Sequence, residues 1–92
     1  MDSYDIQWKR SAEKDLLGID QKQIPRLIKA IEPLAINPFP TQYRKLQGTD
    51  KLYRIRVGDY RVIYQVDTNK DFLTIYYVRH RREAYRKRKY RE

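Results

Sequence analysis

Apolar and polar residues alternate in two stretches of the second half of the chain, 52–57 and 60–66. Alternation with a period of two is typical of strands that bury one face. Gly58 and Asp59 separate the stretches, and glycine at the first central position of a two-residue connection is a hairpin signal. The pattern therefore predicts a tight antiparallel hairpin.

If Val57 lies opposite Tyr60 across this turn, the register divides the hairpin side chains between two faces. The set expected to be covered comprises Ile55, Val57, Tyr60, Val62, Tyr64 and Val66. On the other face, Arg56 lies opposite Arg61 and Arg54 lies opposite Ile63. Opposed like charges destabilise a sheet, and burying unpaired guanidiniums costs several kcal/mol, so we expect the arginine side to be the open one. It is either a solvated face or a binding surface.

The first half of the chain predicts a strand and two helices. Residues 4–8 are typical of a short strand, and a helix with Ser11 as N-cap follows. Asp20 is a candidate cap for the second helix, whose apolar residues recur at the helical period. These residues are Ile24, Leu27, Ile28, Ile31 and Ala35. Pro33 should kink or end this helix, and the X-Pro pairs in 37–40 exclude further helix.

A third strand is predicted over 72–78, after a turn across 67–71. Its inward set is either Leu73, Ile75 and Tyr77 or Phe72, Tyr76 and Val78, depending on the length of that turn. The pattern as a whole predicts an α+β fold in one domain over 1–92, with an antiparallel sheet and an N-terminal helical hairpin on one of its faces. A short C-terminal helix or tail ends the chain.

The charge of the chain points to a polyanionic partner. The formal net charge is +9 over 92 residues, and residues 79–92 supply +6 of it. Nucleic acid or an acidic protein fits this balance, although the tail by itself also fits a solvated helix or a frayed end. No apolar run approaches the roughly 18 residues of a membrane span, and the N-terminus lacks a signal-peptide pattern. We expect a cytoplasmic protein without a membrane partner.

Cysteine and histidine usage argues against the common metal sites. The chain has no cysteine and one histidine, His80. Disulfide frameworks, thiolate chemistry and the usual zinc-ligand sets are therefore not expected. We predict no metal and no other cofactor.

Three segments carry a resemblance to a known family. These are Lys-Leu-Gln-Gly at 45–48, the whole hairpin at 52–64, and His-Arg-Arg-Glu-Ala-Tyr at 80–85. In this order, after two helices, they resemble the RelE/ParE superfamily of microbial toxins. The resemblance implies a compact fold related to small microbial ribonucleases and a cognate antitoxin that wraps and neutralises the toxin in an oligomeric complex.

The superfamily has two branches that share the hairpin motif. RelE-type members cleave mRNA in the ribosomal A site, whereas ParE-type members inhibit DNA gyrase by binding and have no RNase site. Arg81 and Tyr85 have the spacing of the arginine and tyrosine that carry catalytic roles in RelE-type toxins. The resemblance also places Arg54 and Arg56 where the best-known enzymes have lysines, and Arg61 where they have arginine. Arginine binds phosphate with a planar fork but is a poor proton donor.

The residues themselves support the same chemistry. Metal-free RNA cleavage needs a base for the 2′-hydroxyl, cations for the growing phosphorane charge and an acid for the leaving oxygen. Tyr85 is the best candidate base, because nearby cations favour a phenolate; the alternative is that it packs the tail onto the sheet. His80 is either a proton-transfer group or a phosphate-binding or packing residue. Further candidate substrate-binding residues are Lys45, Lys51, Arg79 and Arg82.

The sequence thus predicts a toxin endoribonuclease that acts on mRNA at the translating ribosome, in contact with mRNA and rRNA. The predicted catalytic set is Arg54, Arg56, Arg61, Arg81 and Tyr85. A ParE-like gyrase inhibitor without RNase activity is the main alternative. A third is a basic RNA-binding module or a toxin that has lost its activity.

Overall fold

A computed structural model describes residues 3–41, 43–46 and 52–80 of the chain. In chain order its elements are β1 (Asp5–Trp8), α1 (Arg10–Leu17), α2 (Ile24–Ile31), β2 (Arg44–Lys45), β3 (Leu52–Val57), β4 (Tyr60–Asp67) and β5 (Phe72–His80). Short 3₁₀ turns, Gln21–Gln23 and Glu32–Ala35, flank α2. The predicted α+β class is confirmed. The predicted C-terminal helix or tail lies outside the described residues.

The strands form one mixed sheet in the order β1-β5-β4-β3-β2. The pairs β3–β4 and β4–β5 are antiparallel, as expected. β2 pairs antiparallel with β3, a pairing that the sequence did not predict. β1 pairs parallel with β5, with Ile6 opposite Leu73 and Trp8 opposite Ile75. The sequence predicted β1 but not its neighbour, because that neighbour lies far along the chain.

The hairpin has the predicted register. Its opposed pairs include Val57 with Tyr60, Arg56 with Arg61, Ile55 with Val62 and Arg54 with Ile63. Gly58 has a φ of 62°, a conformation that glycine adopts without strain. A Cβ at this position would also lie 2.9 Å from Nη1 of Arg26, which packs against the turn. The positive φ is therefore the main reason for glycine at this position, because the guanidinium end of Arg26 is flexible and can move aside.

One face of the sheet packs with both helices in the hydrophobic core. Ala12 of α1 and Leu27 and Ile31 of α2 are buried there. The covered hairpin set is as predicted: Ile55, Val57, Val62 and Tyr64 are buried, and Tyr60 and Val66 pack partly buried against them. Burial of each large apolar side chain contributes about 1.5–3 kcal/mol, so this face carries the stability of the fold.

A β-bulge decides the register of β5. Ile63 lies opposite Tyr77, but Tyr64 lies opposite Ile75, so that Tyr76 is an extra residue on β5. A bulge shifts the alternation by one residue. The inward set is therefore Leu73, Ile75 and Val78, which is neither of the two sets expected from unbroken alternation.

The helix ends agree only partly with the sequence signals. The prediction of Ser11 as N-cap is wrong: the N-cap is Lys9, and Ser11 lies inside α1. Asp20 does act as a cap, since its carboxylate accepts a hydrogen bond of 3.0 Å from the N–H of Lys22 in the 3₁₀ turn before α2. α2 ends at Ile31, ahead of Pro33. No helix in the described part of the chain is long and apolar enough to cross a membrane.

The helix α1 also completes one edge of the sheet. β1 pairs only with the first half of β5. Along the second half, Ser11 Oγ donates to the carbonyl of Tyr76 at 2.6 Å, and Asp15 Oδ2 accepts from the N–H of Val78 at 3.0 Å. Because buried backbone polar groups need partners, these two side chains bind β5 where a longer β1 would otherwise pair with it.

Candidate functional site

The face of the sheet opposite the core gathers arginines from four strands. We call it the arginine face: Arg44, Arg54, Arg56, Arg61 and Arg79. Arg54 lies opposite Arg44 on β2, Arg56 lies opposite Arg61 on β4, and Arg61 in turn lies opposite Arg79 on β5. The structure thus brings together three of the predicted catalytic residues, Arg54, Arg56 and Arg61, and the predicted substrate-binding residue Arg79.

Arg44 belongs to this face, although the sequence did not single it out. It lies on a strand of only two residues, which is too short to show an alternating pattern. Its placement follows from pairing with β3, where residue 54 is its partner. The Arg44 Nη1 also donates to the carbonyl of Tyr43 at 3.0 Å, which orients the side chain at this edge of the sheet.

The centre of the arginine face is not open, contrary to our expectation. Arg54 and Arg61 are each only 8% exposed, and Ile63 between them is 4% exposed, whereas Arg56 is exposed. The expectation assumed that charged heads would remain in water, as long cationic side chains usually do. Here two guanidiniums of like charge have lost most of their hydration.

Electrostatics show the consequence of this crowding. The pKa of Arg54 is lowered from its ordinary value, first by burial and then by the charges of Arg56, Arg61 and Arg44. Arginine remains protonated at accessible pH, so the lowered pKa means that the charged form is held in an unfavourable environment. An anion bound among these arginines would offset the repulsion between their charges. The arginine face is therefore suited to bind an anion such as a phosphodiester.

Lys45 and His80 are not brought to this face. Lys45 lies opposite Tyr53, one residue out of phase with Arg44. His80 lies opposite Tyr60, and their rings meet edge to face with centroids 5.3 Å apart. On that side His80 lines a cleft of about 280 Å³ with Lys14, Asp15, Gly18, Ile19, Tyr60 and Val78.

The register places Arg79 on the arginine face, but its side chain contacts a carboxylate of α1 at the edge of the sheet. Its Nε donates to Asp15 Oδ2 at 3.2 Å, in an ion pair with both side chains less than a fifth exposed. Asp15 also holds the backbone of Val78. No local pattern in the sequence marks Asp15 for this role, because it is 64 residues from Arg79. Asp15 holds the end of β5, from which the chain continues to Arg81.

Four predicted site residues, Lys51, Arg81, Arg82 and Tyr85, lie outside the described residues. Their roles remain predictions from the resemblance. Arg81 directly follows β5, which ends at His80.

The fold and the arginine face together define a class of protein: a small cationic α+β protein with helices on one side of a mixed sheet and a partly buried arginine cluster on the other. The chain belongs to the RelE/ParE toxin superfamily of type II toxin-antitoxin systems. Residues 6–85 match the family described as ParE toxin of type II toxin-antitoxin system, parDE.

Similar proteins agree with this membership. A chain of the archaeal RelE–RelB complex from Pyrococcus horikoshii is 30% identical, with a TM-score of 0.75 over 86% of this chain and 96% of that one. The RelB–RelE complex from Methanococcus jannaschii gives 25% identity and a TM-score of 0.73 over 88% and 96%. The candidate toxin RelE1 of Methanocaldococcus jannaschii is 28% identical over 86 residues, which is 90% of this chain and 96% of the relative. The resemblance seen in the sequence is confirmed.

Proposed function

We propose that this toxin is a RelE-type endoribonuclease that cleaves mRNA on the translating ribosome. The observation that carries the proposal is the convergence of Arg54, Arg56 and Arg61 on one face, with two of the three guanidiniums largely removed from water. Anion binding at a desolvated, preorganised cation cluster is stronger than at solvated charges. The RelE names of the similar proteins support the same branch.

The proposed reaction is a transesterification. The 2′-oxygen attacks the adjacent phosphorus and the bond from phosphorus to the 5′-oxygen breaks, which leaves a 2′,3′-cyclic phosphate and a 5′-hydroxyl. The 2′-hydroxyl proton passes to the Tyr85 phenolate, and the departing oxygen takes a proton from water. Arg56, Arg61 and Arg81 hold the phosphorane charge. Removing one such donor typically lowers the rate by about 10²–10³-fold.

The ribosome has a specific part in this proposal. His80, the single histidine, lies on the core-facing side of the sheet rather than beside the guanidiniums. Arginines and a phenol are poor proton-transfer catalysts at neutral pH, because their ordinary pKa values lie far above it. Orienting the mRNA for in-line attack is worth several kcal/mol, so we propose that the ribosome supplies it and that free RNA is cut slowly.

We also propose a cognate antitoxin as the inhibitory partner. The similar structures from Pyrococcus and Methanococcus are complexes with RelB. An antitoxin with an acidic segment against the arginine face would neutralise the same charges that bind phosphate. The toxin would then act in the cytoplasm once released from an oligomeric complex.

Mapping of mRNA ends tests the nuclease. The full-length chain is induced in cells, and 5′-hydroxyl ends are sequenced with and without a block of translation initiation. We expect new 5′-hydroxyl ends within coding regions that disappear when translation is blocked. Arg61→Gln should reduce them about 100-fold, whereas Lys29→Gln, which removes the same charge from the exposed side of α2, should not.

The two residues assigned by resemblance need their own variants. Arg81→Gln and Tyr85→Phe should each abolish the cuts while the far-UV circular dichroism spectrum stays unchanged. Undiminished cuts in both variants would reject this catalytic assignment. Undiminished cuts in a folded Arg61→Gln variant would reject the arginine face as the site.

A gyrase inhibitor of the ParE type is the second candidate, because the matching family carries the ParE description. It predicts chromosome breaks with intact mRNA in the same induced culture. That outcome would replace the nuclease proposal.

A further inference from the structure

The bulge in β5 places two consecutive tyrosines on the arginine face. Tyr77 lies opposite Ile63 on this face. The hydroxyl of Tyr76 donates to Oε1 of Gln65 at 3.3 Å, and Gln65 alternates with the buried Tyr64, so its side chain also lies away from the core. Regular alternation would send one tyrosine of the pair inward. Bulges of this kind often re-aim side chains beside functional sites.

Each of the two rings has a cation beside it. Nζ of Lys9 lies 4.3 Å from the ring centroid of Tyr76, and the guanidinium carbon of Arg79 lies 4.8 Å from that of Tyr77. The two rings are 6.4 Å apart and inclined at 59°. Both tyrosines are half-buried. Aromatic rings next to cations are the combination with which proteins bind single-stranded nucleic acid.

The tyrosine pair is continuous with the guanidiniums. Arg61 and Arg79 form one opposed pair on this face, and Ile63 and Tyr77 form the next pair on it. A chain whose phosphate lies at Arg61 therefore has the aromatic rings within one step along the strands. A group that can bind phosphate thus lies next to rings that can stack on a base, as a phosphate lies next to a base in an RNA strand.

We propose that Tyr76 and Tyr77 form a base-stacking subsite for the single-stranded RNA whose phosphate binds at the arginine face. The subsite rests on the proposed function in that its ligand is the RNA substrate, and it adds how the nucleotides next to the cleaved bond are held. Stacking accepts every base because each has a π face. The subsite supports binding and positioning and leaves codon choice to other contacts.

Base-dependent binding distinguishes stacking from simple charge attraction. The probes are a fluorescein-labelled 2′-O-methyl oligouridine, which the proposed reaction cannot cleave, and an abasic 2′-O-methyl ribose-phosphate chain of equal length. Anisotropy at low ionic strength should show the purified full-length chain binding the oligouridine about tenfold more tightly than the abasic chain. Tyr76→Leu and Tyr77→Leu should each bring this ratio close to one.

Three variants serve as controls. Tyr76→Phe keeps the ring and loses the hydrogen bond to Gln65, so the affinity ratio should persist. Tyr4→Leu alters a half-buried tyrosine that packs against the core, and it should also leave the ratio unchanged. Arg56→Gln should weaken both probes equally, because each carries the same phosphates.

Several results would overturn the subsite. They are no measurable binding of the oligouridine, a ratio near one for the unmodified chain, or an unchanged ratio in both leucine variants. Tyr76-dependent binding of an oligoglutamate in place of RNA would assign the rings to an acidic protein. Because the oligouridine is not cleaved, the binding test is independent of the nuclease proposal. If mRNA is cut but binding does not depend on the bases, only the subsite is rejected. If binding depends on the bases but mRNA is not cut, only the nuclease is rejected.

Discussion

Burial of a side chain has opposite energetic effects on the two faces of the sheet. On β3, Ile55 is 0% exposed on the core side and its neighbour Arg54 is 8% exposed on the arginine face. Burial of the isoleucine removes apolar surface from water and stabilises the fold. Burial of the guanidinium lowers the pKa of Arg54 and disfavours its charged form. The residues that stabilise the fold and those proposed to bind an anion therefore lie on opposite sides of the same strands, and substitutions should separate the two roles.

The largest difference between effects on stability and effects on cleavage should appear between two neighbouring residues of β3. Ile55→Ala should lower the free energy of unfolding by about 2–5 kcal/mol, because it leaves a cavity in the core. Arg56→Ala, at an exposed position one residue away, should change it by less than about 0.5 kcal/mol while mRNA cleavage falls. Urea denaturation measures both variants. Equal destabilisation would mean that the arginine face also carries the fold.

The next largest loss of stability should come from a substitution at the edge where α1 contacts β5. Asp15→Ala removes the acceptor for Val78 N–H and Arg79 Nε, so we expect a loss of about 2 kcal/mol in the free energy of unfolding. The matched control is Glu13→Ala, which removes an exposed carboxylate of the same helix. If thermal denaturation finds the two variants equally stable, Asp15 does not hold this edge.

Tyr64 gives the core side a pH dependence. Burial, followed by Tyr43 and Tyr53, raises the pKa of Tyr64 well above its ordinary 10.0, and its hydroxyl donates to the buried carbonyl of Pro38 at 2.6 Å. Above pH 10 the unfolded chain loses this proton while the folded chain keeps it, so stability falls as pH rises. Tyr64→Phe should lose about 1 kcal/mol at neutral pH and show a shallower alkaline decline. A decline of equal slope in both proteins would assign it to other groups.

The smallest expected change in stability is at Arg54. Arg54→Met keeps a side chain of similar length, and the repulsion and the favourable contacts that it removes act in opposite directions, so we expect the free energy of unfolding to change by less than about 1 kcal/mol. The same variant should lose mRNA cleavage. Chemical denaturation and mapping of 5′-hydroxyl ends measure the two effects. A variant destabilised by more than this would show that Arg54 supports the fold rather than anion binding alone.

Local signals predicted most of the fold and placed three of the five residues of the arginine face on one side of the hairpin. Gly58 and the alternation beside it specified the hairpin, its register and the alignment of Arg54, Arg56 and Arg61, because these pairs are close in sequence and the turn sets their phase. The helical period identified α2, and Pro33 marked its end.

The remaining features depend on partners far apart in the chain. Ser11 lies inside α1 instead of capping it, and its hydroxyl donates to the carbonyl of Tyr76, 65 residues away. Asp15 pairs with Arg79 across a similar separation. Neither contact leaves a pattern in the sequence around it, since the geometry that forms it exists only after β5 has paired in the sheet.

The sequence by itself determined the α+β class, the family and the collection of arginines on one side of a hairpin, since each follows from local periodicity, turn chemistry or a motif. Only the tertiary structure decided that β1 runs parallel to β5, that a bulge turns Tyr76 and Tyr77 to the same face, and that Arg54 and Arg61 are largely removed from water. Strand order, bulges and desolvation are set by the packing of distant segments, and local preference does not contain that information.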